Sequence, residues 1–209
     1  MDQDPPSEHP SGRTMPPGGT AGPVPAGGQQ PVLVVMGVSG SGKSTIAALL
    51  AAELGWEACE GDDLHPDSNV QKMVAGIPLT DADRAPWLQT VARWIAERSV
   101  SGTPGIITCS ALKHSYRTVL RGTPPPGARV VFVFLRVGRE RLAARMATRS
   151  GHFMPATLLD SQLSTLQEPT PDEDVLIVDG SGAPGEPDRV PADLTAEIVE
   201  RLGLLPRVP

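Results

Sequence analysis

Residues 36–45 read Met-Gly-Val-Ser-Gly-Ser-Gly-Lys-Ser-Thr and follow directly on the apolar run Val32-Leu33-Val34-Val35. Gly37, four intervening residues and then Gly42-Lys43-Ser44 satisfy the phosphate-binding spacing G-x-x-x-x-G-K-[ST]. A polyphosphate has to be wrapped by many donors without side chains in the way. Glycine lets the backbone approach closely. Successive N–H groups then form an anion-binding nest at the start of the next helix, whose dipole adds partial positive charge. A flexible Gly/Ser turn has a similar composition, but here an apolar strand candidate precedes the stretch and an Ala/Leu-rich helix candidate follows it. Gly37, Ser39, Gly40, Ser41, Gly42, Lys43, Ser44 and Thr45 are therefore the expected nucleotide-binding residues. Lys43 is expected to reach the β- and γ-phosphates, and the Ser44 hydroxyl to ligate Mg²⁺.

The rest of the composition narrows the setting. A chain of 209 residues is long enough for one sizeable core. Its net charge of -6 offers no global basic field for nucleic acid, so basic residues are local tools for anionic ligands. No apolar run approaches the roughly 20 residues that a bilayer span needs, and the N-terminus has no apolar signal core. A cytoplasmic protein with no membrane partner is expected. The two cysteines, Cys59 and Cys109, each close an apolar run and read as small buried hydrophobes, with no zinc spacing.

Residues 1–30 are dominated by Pro, Gly, Ser and Gln, a composition that cannot bury enough surface to offset its ordering entropy. They are expected to form a disordered tail ahead of one folded domain over residues 31–209. Within that domain, strand candidates at 32–36, 56–60, 105–110, 129–136 and 175–179 alternate with helical patterns at 43–54, 66–75, 86–98, 114–121, 139–149, 155–166 and 191–202. Such alternation predicts an α/β fold, a five-stranded parallel sheet with helices on both faces. Ligands of these sheets bind beyond the carboxyl ends of the strands. The phosphate loop, Gly61-Asp62-Asp63 and Ser110-Ala111-Leu112-Lys113 all fall there. The Gly/Pro/Asp-rich stretch 180–188 reads as a surface loop.

Beyond the phosphate loop, the chain carries EGDDLHP at 60–66, NVQKM at 69–73, GIPLTDADRAPWL at 76–88, CSALKHSYR at 109–117 and RSGHFMP at 149–155. Ser161-Gln162-Leu163 and Leu166-Gln167-Glu168-Pro169 follow. In this order, over residues 32–202, these motifs resemble the gluconokinases of the P-loop type, relatives of shikimate and adenylate kinases. The resemblance implies the P-loop NTPase fold with a mobile lid at about 145–156, ATP and Mg²⁺ as cofactors, D-gluconate as acceptor and a homodimer.

The residues can be weighed against that chemistry. Phosphoryl transfer through a loose transition state asks little of the protein beyond positioning, charge stabilisation and a carboxylate to receive the hydroxyl proton. Asp62 is the expected base, with Asp63 as its rival or as a helper for the metal. An anionic acceptor calls for arginine or lysine. Arg84 is placed like the carboxylate-binding arginine of the shikimate kinases, with a surface salt bridge to Asp81 or Asp83 as the alternative. Lys72, Lys113, Ser110, His65 and His152 are further candidates for the acceptor. By resemblance Arg145 lies against the adenine, and Arg149 reaches across the phosphates as the lid closes. The tryptophans read as core. The third strand ends in Cys109-Ser110 without the acidic residue that commonly supports Mg²⁺, which leaves Ser44, the phosphates and water, with help from Asp62 or Asp63. Two alternatives stay open from the residues: a kinase for another small molecule, and an ATP-dependent binding switch.

Overall fold

The computed structural model describes residues 21–24, 28–148, 157–182 and 187–206. Five strands, β1 (Val32–Met36), β2 (Glu57–Cys59), β3 (Gly105–Cys109), β4 (Val130–Arg136) and β5 (Val175–Asp179), form one sheet in the order β2-β3-β1-β4-β5. Every neighbouring pair is parallel. The helices are α1 (Lys43–Leu54), α2 (Asp67–Val74), α3 (Asp81–Ser101), α4 (His114–Arg121), α5 (Arg139–Thr148), α6 (Thr157–Thr165) and α7 (Pro191–Leu202). None among the described residues is long and apolar enough to cross a membrane.

The central strand shows why its sequence is apolar throughout. Leu33 and Val35 point to one face, where they pack with Ile46, Leu50 and Leu54 of α1 and Leu194, Ile198 and Leu202 of α7. Val32, Val34 and Met36 point to the other, against Trp87, Val91 and Ile95 of α3 and Leu120 of α4. With both faces covered, alternation disappears from the sequence. Each fully buried Val, Leu or Ile contributes about 1.5–3 kcal/mol of transfer free energy. β1 pairs in register with both neighbours, Met36 lying opposite Cys109 of β3 and Phe134 of β4. β1 and β3 therefore end at one level, β4 runs two residues further, and the loops that leave them share one edge.

Two boundaries differ from expectation by five residues or more. Helix α3 starts five residues before Pro86, because Thr80 and Asp83 form a reciprocal capping box: Thr80 accepts from the Asp83 N–H, and Asp83 accepts from the Thr80 N–H. The cap and two acidic residues in the first turn outweigh the one hydrogen bond that Pro86 forfeits. The folded part also reaches back past Pro31. Ala21 is buried in the core and donates its N–H to Val175, Val24 donates to Leu202, and the Gly22 carbonyl accepts from Arg129. Even a Pro/Gly-rich stretch carries backbone donors and small apolar groups that a groove can take up. Residues 1–20 lie outside the described part.

Candidate active site

At the end of β1 the chain turns through Gly37, Gly40 and Gly42, all at positive φ. A Cβ on Gly37 would come within 2.8 Å of Ser41 Oγ, so its absence lets the loop close. Gly42 caps α1, whose first residue Lys43 folds back to donate from Nζ to the Val38 carbonyl at 3.1 Å. The backbone N–H of Ser39 donates to Gln162 Oε1 of α6 at 2.7 Å, which fixes one flank of the loop.

Beside this loop lies a cavity that gathers residues distant in sequence. Ser39, Lys43, Asp62, His65, Arg84, Trp87, Ser110 and Gln162 all line it, with an apolar rim from Met73, Ile77, Pro78 and Leu79. Asp62 sits on the single 3-10 turn Gly61–Leu64 that follows β2. That turn packs so closely on β3 that a Cβ on Gly61 would lie 2.0 Å from the Thr108 carbonyl oxygen. The indole N–H of Trp87 donates to the Gly61 carbonyl at 2.6 Å, and the Trp87 ring stacks on His65 at 4.1 Å between centroids. Burial pushes the His65 imidazole below its ordinary value and the Arg84 charge adds to this, against an opposing pull from Asp62. His65 is therefore neutral at pH 7. Arg84 donates from Nη1 to the Leu79 carbonyl at 2.7 Å and lies over the Tyr116 ring.

A second cleft opens on the other side of the loop. Gly40, Ser41, Gly42 and Thr45 form one wall; Arg145, Asp188 and Arg189 form the other. Arg145 donates from Nε to Asp188 at 2.6 Å and from Nη1 to the Gly40 and Ser41 carbonyls, each at 3.3 Å. Arg141 donates to the second oxygen of Asp188. Hydrogen bonds from the two arginines, Arg141 first, hold the Asp188 carboxyl below the usual carboxylate range.

Comparison with known proteins agrees with this geometry. The family profile described as an AAA domain matches residues 32–169. A gluconokinase of Gluconobacter oxydans is 53% identical over 152 residues, which span 73% of this chain and 84% of that protein. The chain belongs to the gluconokinase family. Among solved structures, a gluconokinase from Sinorhizobium meliloti is 42% identical, with a TM-score of 0.66 over 82% of this chain and 95% of that one. An unliganded sugar kinase from Janibacter reaches a TM-score of 0.75 at 45% identity, covering 85% of this chain and 96% of that one. The arrangement is the P-loop NTPase fold.

Within the gluconokinase framework, the structure sorts the residues singled out from sequence. Asp62, His65, Arg84 and Ser110 come together at Lys43. Asp63 does not line that cavity, which separates the two rival carboxylates. Lys72 and Lys113 also stay out of it. Lys72 donates to Asp83 at 2.6 Å, and the resulting hydrogen bonds from Lys72 and Thr80 bring Asp83 to about 2. Lys113 spans to Asp81 at 2.7 and 2.8 Å, and Asp81 also accepts from Tyr116. With Asp81 and Asp83 so engaged, neither forms the salt bridge to Arg84 that the sequence left open. Arg149, His152 and most of the 145–156 segment lie outside the described residues.

Three features escaped the sequence reading. Glu60, just after β2, accepts from Ser44 Oγ at 3.1 Å and from Thr108 Oγ1 at 2.7 Å, so a carboxylate stands beside the phosphate loop although the end of β3 offers none. The EGDD run held that signal. Trp87 is core, as read, yet one edge of it also forms the cavity wall. Asp188, at the end of the 180–188 stretch read as a surface loop, walls the second cleft. Nothing in the Gly/Pro composition of that stretch announces this.

Proposed function

We propose that this chain transfers the γ-phosphoryl group of ATP to the 6-hydroxyl of D-gluconate, giving 6-phosphogluconate and ADP. The observation that carries the reading is the single cavity shared by Lys43 of the phosphate loop and by Asp62, His65, Arg84 and Ser110. Residues 37–45 cradle the phosphates with backbone N–H groups, and Lys43 swings from the Val38 carbonyl to the β- and γ-phosphates. Arg84 takes the gluconate carboxylate through its planar fork. Neutral His65 and Ser110 bond the polyol hydroxyls. Asp62 orients the 6-hydroxyl and receives its proton as the new O–P bond forms and the bond from the γ-phosphorus to the ADP oxygen breaks.

The oxygens of Ser44 and Glu60 lie 3.1 Å apart at the phosphate loop and suit Mg²⁺, a hard cation that keeps part of its water. When bound there, it would offset charge on the phosphates. In this reading Arg145 lies against the adenine. A cytoplasmic homodimer completes the reading; a sedimentation mass twice the 21.9 kDa of one chain is the expected result, and a mass of one chain would remove the dimer.

The test is ADP release from Mg-ATP with D-gluconate, other sugar acids, shikimate, nucleoside monophosphates or no acceptor. Stimulation by gluconate is expected. Stimulation by a different acceptor alone would reassign the substrate, and equal slow release in every case would favour a binding switch.

A further inference from the structure

Buried behind the acceptor cavity is a charge pair that the reaction itself does not use. Arg117 of α4 has no exposed surface and Glu173 is buried as well, in a protein whose other charges mostly meet water. The guanidinium is satisfied on every side. Nε and Nη2 donate to the two oxygens of Glu173 at 2.5 and 2.8 Å. Nη1 donates to the carbonyls of Ala111 at 3.1 Å, Leu112 at 3.4 Å and Gln167 at 3.0 Å. Glu173 in turn accepts from the backbone and hydroxyl of Thr170 and meets His114 Nδ1 at 3.2 Å.

The carbonyls so collected belong to an unusual turn. Ala111, at φ 44, is the one non-glycine residue with positive φ among the described residues. A residue with a Cβ persists in that region only where its surroundings over-determine it. The two residues that flank it, Ser110 and Leu112, line the cavity with Lys43 and Asp62. Leu112 is further tied by its carbonyl to the Gln167 N–H at 2.8 Å, and Gln167 Oε1 accepts from the His114 N–H at 2.8 Å.

A buried ion pair is by itself a poor stabiliser, since well-packed apolar residues often serve as well. What they cannot do is bind three carbonyls from two separate segments. Only the five-donor fork of arginine reaches all of these acceptors at once; lysine cannot. We infer that Arg117, anchored by Glu173, is a positioning residue for the acceptor: it holds the Ser110-Ala111-Leu112 turn in the shape that forms the cavity wall, and so governs gluconate affinity while leaving the nucleotide side untouched. The inference rests on the gluconokinase reading above.

The full-length wild type, R117K, R117M and E173Q are compared in steady-state assays, varying D-gluconate at saturating Mg-ATP and then the reverse, below the lowest Tm of the set. Gluconate-stimulated ADP release by the wild type is measured first; its failure would remove the substrate reading, separately from the positioning claim. With that in hand, R117K and R117M are expected to raise the gluconate KM at least tenfold with the ATP KM within about twofold. E173Q, which keeps the arginine and its carbonyl bonds, is expected to raise it less, and it decides the matter if both Arg117 variants fail to fold. Adding A111G to R117K should recover part of the lost affinity, because glycine holds a positive φ without the clamp. An unchanged gluconate KM in folded variants, or parallel changes in both KM values, would overturn the inference. A loss of Tm alone would do the same.

Discussion

The two sides of the phosphate loop are built in different ways. On the acceptor side the cavity is narrow, about 50 Å³, and its walls are cross-linked before any ligand arrives: Trp87 to Gly61, Arg84 to Leu79, Arg117 to the Ala111 turn. On the nucleotide side the cleft is wide, about 480 Å³, and one carboxylate, Asp188, holds Arg145 in its wall together with the neighbouring Arg141. The difference matches what each ligand demands. A polyol acid has many hydroxyls to discriminate, so a preorganised wall serves it, whereas a triphosphate is held chiefly by backbone donors and charge.

The largest effect should come from Asp62→Asn, which removes the proposed proton acceptor but leaves the phosphate loop intact. Gluconate-dependent turnover is expected to fall by roughly 10²–10⁴-fold, with ATP binding by calorimetry preserved. Turnover near the wild-type rate would take Asp62 out of the base role. Next comes Arg84→Ala, for which the loss of a charge-assisted contact predicts a gluconate KM about 10–100-fold higher and little change for ATP. Lys72→Ala serves as its control. Lys72 is paired outside the cavity, so it should move the gluconate KM by less than about twofold.

The comparison is sharpened from the opposite side by Asp188→Ala. Arg141 and Arg145 then lose their shared partner, and the ATP KM should rise by about three- to tenfold while the gluconate KM holds. A rise in the gluconate KM instead would mean that the two sides are not independent. The smallest signal is a pH effect on stability. Burial alone would raise Glu173, but hydrogen bonds from Arg117 and Thr170 and the Arg117 charge overcome it and bring the carboxyl to about 2, below its ordinary 4.5. The stability that comes from this depressed pKa is complete above about 4.5 and is lost as pH falls towards 2. The Tm gap between wild type and Glu173→Gln should therefore shrink between pH 5 and pH 3, as read by differential scanning fluorimetry. A gap that stayed constant would mean that the carboxylate charge is not what stabilises there.

Much of this was legible in the residues. The β1 run, the glycine spacing and the helix that follows are local signals, each readable within about ten residues, and the parallel sheet follows from their alternation. The motifs at 60–66, 76–88 and 109–117 pointed to the correct strand ends, and Asp62, His65, Arg84 and Ser110 meet at Lys43 as their positions suggested. Other features were hidden because they depend on pairings across 11 to 56 positions. Glu60 looked like one more acidic residue until β2 and β3 brought it to Thr108. Lys72 and Lys113 looked available until Asp83 and Asp81 were seen to engage them. Arg117 lay unremarked inside a quoted motif because nothing near it in sequence says that Glu173 waits on the far side of the turn.

By itself, then, the sequence determined the phosphate loop, the α/β alternation and the family, because glycine spacing and hydrophobic period are properties of neighbouring residues. Only the tertiary structure decided which charges face the cavity and which are already paired, how the Ala111 turn is held, and that Asp188 walls the nucleotide cleft. Those are matters of distance between remote side chains, and distance is set by packing.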